Sequence, residues 1–204
     1  MHSVLTIDSP ATSHDLTTLA AVKAELGITD TTEDGNLAVW ITAASQAAEA
    51  YCDRVFVEET VTETFRNRRG INLDGLVLAR SPLSELISVT ADGETLTEDV
   101  EFEQDPGSAI LYRISNGKSC HWRFTSLVAN YKAGFPADKI PVNLARAALV
   151  MVKLLRGSAT RDPAVKSENM LGTYSYTLFG GADIHEGMPA DVAALLSPYR
   201  NISV

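Results

Sequence analysis

Four histidines and two cysteines are the side chains best suited to chemistry here, and their spacing gives them little to do together. His2, His14, His121 and His185 never stand at the i, i+4 interval that sets two imidazoles on one helix face. None has a Cys or carboxylate at a recognised ligand spacing. Cys120 abuts His121, but neighbours on a strand point to opposite faces, so the pair is expected to flank a strand start rather than join nucleophile to base. Cys52 and Cys120 read as two reduced thiols, with no disulfide framework. No nucleophile elbow, phosphate-binding glycine loop or dinucleotide fingerprint occurs. Gly180-Gly181-Ala182-Asp183 follows no buried strand and opens no helix, which makes it a turn. Asp92, Asp99, Glu101, Glu103 and Asp105 could gather around calcium, although turn usage and alternation explain them as solvated carboxylates. The expectation is a chain that is not an enzyme, with no catalytic residues, no metal and no cofactor.

What remains is the chemistry of contact. Tyr174, Tyr176 and Tyr199 each offer a large apolar ring and one polar tip, the combination enriched at binding hot spots. Half-buried packing against helices is the plainer alternative for the first two. Arg161-Asp162-Pro163 is either a clamp for a partner or the cap and stop of the helix before it.

A length of 204 residues suits one domain, or a small domain carrying an insertion. The content of 45% hydrophobic and 21% charged residues is that of a globular chain. A net charge of −9 excludes DNA binding by overall phosphate neutralisation. Mild repulsion does suit a wall past which DNA slides. Met1-His2-Ser3-Val4-Leu5 lacks the basic and apolar regions of a signal peptide. The densest apolar stretch, Leu144 to Leu155, contains Arg146 and Lys153 and is too short and too charged to span a bilayer.

These residues must be positioned by helices at both ends of the chain and strands in its middle. Residues 1–15 are polar, contain Pro10 and read as a flexible arm. A first helix starts near Thr17 and stops at Gly27 in the left-handed position, with Ile28 folding back on it. A second helix starts near Thr32. Leu37, Trp40, Ile41, Ala44, Ala48 and Tyr51 form its apolar stripe, and Val39, Ala43, Ala47 and Ala50 a second, small-residue face. One face serves the subunit's own core, the other a neighbour. From Val57 the pattern turns strand-like, with Val57, Val61 and Phe65 on one side and Glu59 and Glu63 weakening it. Further strands are expected at Leu73–Ala79, Leu86–Ala91, Glu101–Gln104, Ile110–Ile114 and Trp122–Tyr131. Asp92-Gly93 and Asn116-Gly117 mark hairpins, and Asp105-Pro106-Gly107 a turn. A third helix runs from Pro141 to about Arg156, apolar nearly all round except for Asn143, Arg146 and Lys153, and Gly157 stops it. Such a helix calls for cover beyond one subunit, and Leu149 and Met151 join Trp40, Ala43 and Ala47 as expected subunit-packing residues. Residues 158–187 read as a strand or extended arm, and a last helix spans Pro189 to Leu196 before Pro198. The fold class is α+β, a bundle of about four helices with an inserted antiparallel sheet or sandwich. The arm of 1–15, a helical core of 16–56 and 137–204, and a β-rich insertion of 57–136 are the expected parts.

Three segments in this order resemble the head–tail connector, or adaptor, proteins of long-tailed bacteriophages and gene transfer agents. They are Leu19–Ile28 with the helix ending Ala48-Glu49-Ala50-Tyr51-Cys52-Asp53-Arg54-Val55-Phe56, then Tyr131–Phe135 leading through Ile140-Pro141, then Pro189 to Arg200. The β-rich stretch departs from the shortest members and resembles the insertion of larger ones. The resemblance implies a self-assembled ring, with twelve subunits as the expected number, in the virion neck beneath the portal protein. Assembly takes place in the host cytoplasm. DNA passes through the ring without specific binding, a stopper or tail-joining protein follows, and no membrane is involved. It also implies that the C-terminal segment reaches the portal, through Leu195, Tyr199, Arg200 and Ile202 with Tyr174, Tyr176 and Arg161. The alternatives are a stopper or tail-completion protein of the same neck, and a β module that binds carbohydrate or calcium.

Overall fold

In a computed structural model, the structure describes residues 2–159, 167–170, 174–177, 184–185 and 188–201, with backbone alone for 167–170, 174–177 and 184–185. The chain divides into two compact units, Met1–Ser13 with Val55–Lys139 and His14–Arg54 with Ile140–Val204. The class is α+β.

In the first unit the strict alternation of Glu59–Arg66 (β2) buries Glu59, Val61, Glu63 and Phe65 on one face. Its antiparallel partners are His2–Ser9 (β1) on one side and Ser126–Ala133 (β9) on the other. Leu83–Ala91 (β4) pairs with the far edge of β9 and turns through Asp92-Gly93 into Glu94–Thr95 (β5), giving the order β1-β2-β9-β4-β5. A smaller sheet joins Leu76–Val77 (β3), Ile110–Ser115 (β7) and Phe102–Asp105 (β6), with Lys118–Cys120 (β8) paired to β7. Both expected hairpins have positive φ at each turn residue, 48° and 94° at Asp92-Gly93 and 52° and 69° at Asn116-Gly117, as a tight two-residue turn requires. A shared core of Phe65, Leu76, Val89, Leu111, Trp122 and Leu127 lies within this unit.

Several expectations need correction here. Residues 2–9 are not a flexible arm but an eight-residue edge strand. Most of β1 is exposed on both faces, so its sequence carries no alternation to read; main-chain pairing with β2 holds it. The strand expected at 73–79 shrinks to Leu76–Val77 with a separate bridge from Leu73 to Trp122. The last long strand begins at Ser126 rather than Trp122, because the Trp122 indole is committed to the core and donates to the Leu111 carbonyl at 2.9 Å.

Glu63 does not weaken its face. It is 1% exposed, and its Oε2 accepts from the Tyr131 hydroxyl and from the Ala79 N–H, both at 2.9 Å. Burial, then the Glu63 charge, pushes the Tyr131 phenol well above its ordinary range, so it stays a donor. Gly134 at φ 109° closes β9 where a Cβ would meet the Val57 carbonyl oxygen at 2.6 Å, a site that only glycine fits.

In the second unit, Thr18 rather than Thr17 caps Leu19–Leu26 (α1), its Oγ1 accepting from the Ala21 N–H at 3.2 Å. Gly27 at φ 68° and the bond from Ile28 N–H to the Lys23 carbonyl close it as expected. Asp34–Cys52 (α2) begins two residues after Thr32, because Asp30 holds the Thr32 N–H in the preceding loop. Leu37, Ile41, Ala44, Ala48 and Cys52 face the core. Buried Ser45 joins them without cost, donating to the Ile41 carbonyl and accepting from Leu16 N–H, both at 2.9 Å.

Val142–Ala159 (α3) packs against α2 and against Ala190–Leu196 (α4), which continues into a tight turn at Ser197–Tyr199. Gly157 does not stop α3; the helix passes through it to Ala159. Full burial of Leu37, Leu144 and Leu196 contributes about 1.5–3 kcal/mol for each side chain. The polar stripe of α3 has partners: Arg146 Nη1 and Lys153 Nζ both reach Glu25 of α1, at 2.9 and 2.6 Å. Arg156 grips Glu33 through two bonds of 2.8 and 3.0 Å. Ser167–Met170 (β10) pairs with Tyr174–Thr177 (β11), and Ile184–His185 (β12) with Met188–Pro189 (β13).

Two outcomes test this account. Glu63→Ala orphans the Tyr131 hydroxyl and the Ala79 N–H, and urea denaturation should show a loss of about 2–4 kcal/mol, against about 1 for Tyr131→Phe. A double-mutant cycle between them should give a coupling well above zero, and strict additivity would remove the network. The second concerns Glu25 and Glu33. Hydrogen bonds from Lys153 and Arg146 to Glu25, and from Arg156 to Glu33, hold both carboxyls below their ordinary values. Their contribution is therefore present above the ordinary carboxylate range and lost as pH falls through the lowered values. The Tm gap between the chain and its Glu25→Gln/Glu33→Gln variant should close on acidification; a constant gap would contradict the pairing.

Candidate assembly surface

The second face of α2 presents exposed apolar side chains. Val39 is 66% exposed. Ala43 and Ala50 are exposed, while Ala47 and Trp40 are half-buried. On α3, Met151 is half-buried and Val142 is 81% exposed. Small side chains leave the α2 backbone open to close approach by another helix, as the sequence pattern suggests. Leu149 differs: it is buried in the unit's own core, so its side chain is covered before any neighbour arrives. The third helix thus owes more of its cover to α2 and α4 than its apolar sequence implies.

The C-terminal segment is docked on this same unit. Leu196 is fully buried and Leu195 half-buried. The half-buried Arg200 guanidinium lies 4.8 Å from the centre of the Tyr51 ring, and Asn201 N–H donates to the Cys52 carbonyl at 2.8 Å. Tyr199 is half-buried beside them in sequence. Burial pushes the Cys52 thiol up to about 11, so it is an inert core residue. The structure places Tyr174 and Tyr176 on β11 without describing their side chains, and Arg161, Ile202 and the Gly180–Asp183 turn lie outside the described residues.

The groups weighed for chemistry sit apart. His121 Nδ1 pairs with Asp74 Oδ1 at 2.7 Å on an exposed rim that includes Cys120, and His14 pairs with Glu49 at 3.2 Å in the other unit. The acidic residues of the β unit are busy as turn acceptors. Asp92 takes the N–H groups of Thr125 and Ser126, and Glu101 that of Thr97. Ser108, then the Gly107 turn, holds the Asp105 carboxyl below its ordinary value. Among the described residues no three His, Cys, Asp or Glu side chains are placed to hold a metal, and no helix is long and apolar enough to cross a membrane.

Residues 16–101 match the family described as Phage gp6-like head-tail connector protein. Over that segment the chain is similar to head–tail connector proteins. No curated protein matches the chain. Among solved structures, a chain of the "Neck of native GTA particle computed with C12 symmetry" is 16% identical with a TM-score of 0.61, covering 98% of this chain and 97% of that one. A chain of the "Neck of empty GTA particle computed with C6 symmetry" is 18% identical with a TM-score of 0.59 over the same shares. A chain of the "Virion of native gene transfer agent (GTA) particle" gives 18% and 0.53. At these identities the likeness is one of fold, and it takes in the β unit as well as the helices.

The docked tail generates a prediction. Deleting residues 198–204 removes the Arg200–Tyr51 contact, worth about 0.5–1 kcal/mol, and one main-chain hydrogen bond, worth about 1 kcal/mol. The truncated chain should keep its helical circular dichroism and unfold at lower urea. Loss of the native spectrum would instead make the tail part of the core.

Proposed function

We propose that this chain is a structural neck protein, an adaptor that assembles as a ring beneath the portal, extends the DNA channel and joins capsid to tail. The observation that carries the reading is the connector-family match over 16–101, because that segment contains α2 with its uncovered face. In this reading Trp40, Ala43, Ala47 and Met151 meet the neighbouring subunit. Leu149 acts from beneath by fixing α3. Leu195, Tyr199, Arg200 and Ile202, with Tyr174, Tyr176 and Arg161, serve the portal. A heterologous contact that closes on itself makes a ring. Twelve subunits, a place in the virion neck, assembly in the host cytoplasm and a stopper or tail-joining protein on the far side complete the proposal. The chain acts without catalysis or cofactor. A stopper position in the same neck is the competing assignment, separated by what the chain binds.

Light scattering after size exclusion, on the protein alone and mixed with its portal, tests the reading. The chain should join the portal as a ring of defined mass. Ala43→Glu should change the unfolding free energy by no more than a surface substitution does, about 0.5 kcal/mol, yet prevent that ring. A chain that ignores the portal but binds a tail component would move it to the stopper position.

A further inference from the structure

The β unit carries a cluster of cations that the neck reading does not use. Arg66 ends β2, Arg68 and Arg69 follow within three residues, and His2 is the β1 partner of Arg66. These four side chains line an open pocket of about 570 Å³. Six cations elsewhere, Lys23, Arg113, Lys132, Arg146, Lys153 and Arg156, each face a carboxylate. Arg66, Arg68 and Arg69 have no such partner among the described residues. No acidic residue stands between Arg66 and Leu73 in the sequence.

The loop that presents them is held rigidly. Asn67 is 3% exposed, and its side chain bonds the Ile71 backbone twice, Nδ2 donating to the carbonyl at 2.7 Å and Oδ1 accepting from the N–H at 3.0 Å. Gly70 N–H closes a turn onto the Asn67 carbonyl at 3.1 Å, at a φ of 62° that suits glycine. Asn67 N–H is tied to the Thr125 carbonyl at 3.0 Å. Arg68 and Arg69 therefore occupy the two central positions of a fixed turn, exposed, beside Arg66 at the strand end. A guanidinium presents a planar fork that matches phosphate oxygens. Fixing the backbone beforehand lowers the ordering cost of binding.

We propose that this arginine turn is a contact site for the phosphate backbone of DNA, independent of base sequence. The choice of DNA over other polyanions rests on the neck reading above. Local charge decides the matter here: phosphates within a Debye length, about 8 Å at physiological salt, respond to the arginines more than to the distant net charge.

The test is fluorescence anisotropy of the full chain with fluorescein-labelled duplex DNA of two unrelated sequences across a salt series. The wild type should bind both alike and weaken as salt rises. Arg68→Gln/Arg69→Gln should bind more weakly, with the log–log salt slope flattened by about 1 per arginine removed. Arg68→Lys/Arg69→Lys should retain the slope. Absence of binding at the lowest salt, or a double Gln variant with the wild-type slope, overturns the site. If that variant binds DNA unchanged but loses self-association in light scattering, the turn takes an acidic protein surface instead, and the DNA proposal falls. Failure of the neck reading is separate: it appears as a chain that ignores the portal whatever its DNA affinity.

Discussion

The long segment of the β unit has two ends that must lie together, and that constraint organises the unit. The chain enters at Val57 and leaves at Phe135, and these residues form a parallel bridge. Phe135 N–H donates to the Phe56 carbonyl at 2.7 Å, and Glu58 N–H to the Phe135 carbonyl at 3.0 Å. Gly134 permits the approach, since any Cβ would strike the Val57 carbonyl. With entry and exit pinned, β2 and β9 are forced into register along their whole length, from Glu59 opposite Ala133 to Arg66 opposite Ser126. That register sets Glu63 near Tyr131 in the core and carries Arg66 to the far end. The turn of arginines is thus displayed at the end of the insertion opposite the pinch.

A buried carboxylate inside a small sheet is tolerated because its partners are fixed by the same register. An isolated charge there would cost several kcal/mol, whereas Glu63 has a phenol and an amide aimed at it. This satisfied network fixes one pairing of β2 with β9, since a one-residue slip would turn Glu63 to solvent and bury Thr62 or Thr64 in its place. The network therefore adds specificity as well as stability.

Much of this was legible in the residues. The helical period of α2, the Gly27 cap and the two hairpin turns each carry a local rule strong enough to survive folding. The misses share a cause. β1 is fixed by main-chain bonds to its neighbour and shows no pattern of its own. Glu63 looked like an error on an apolar face because its partners lie 16 and 68 residues away. Gly157 inside α3 is an exception to a weak propensity, outweighed by the packing of the helix before it. The arginine turn went unread in the sequence, because only the buried Asn67 and the absent carboxylates distinguish three close cations from a solvated loop. The tail's contacts with its own unit, Arg200 on the Tyr51 ring and Asn201 on the Cys52 carbonyl among them, had no local signal in the sequence.

In the neck reading, the division of α2 into two faces gives assembly its logic. Leu37, Ile41 and Ala44 spend large apolar area on the subunit's own core, so the unit folds before it meets a neighbour. The outer face carries Val39 and small alanines, side chains that allow helix backbones to pack closely on contact. A face of leucines would bind more tightly but would also collapse non-specifically. The tail follows the same economy. A cation–π contact, worth about 0.5–1 kcal/mol, and a main-chain hydrogen bond, worth about 1 kcal/mol, are among the contacts that hold it to α2. In the neck reading, a partner offering a deeper aromatic and acidic site for Tyr199 and Arg200 competes with those contacts while the buried face of the helices stays in place.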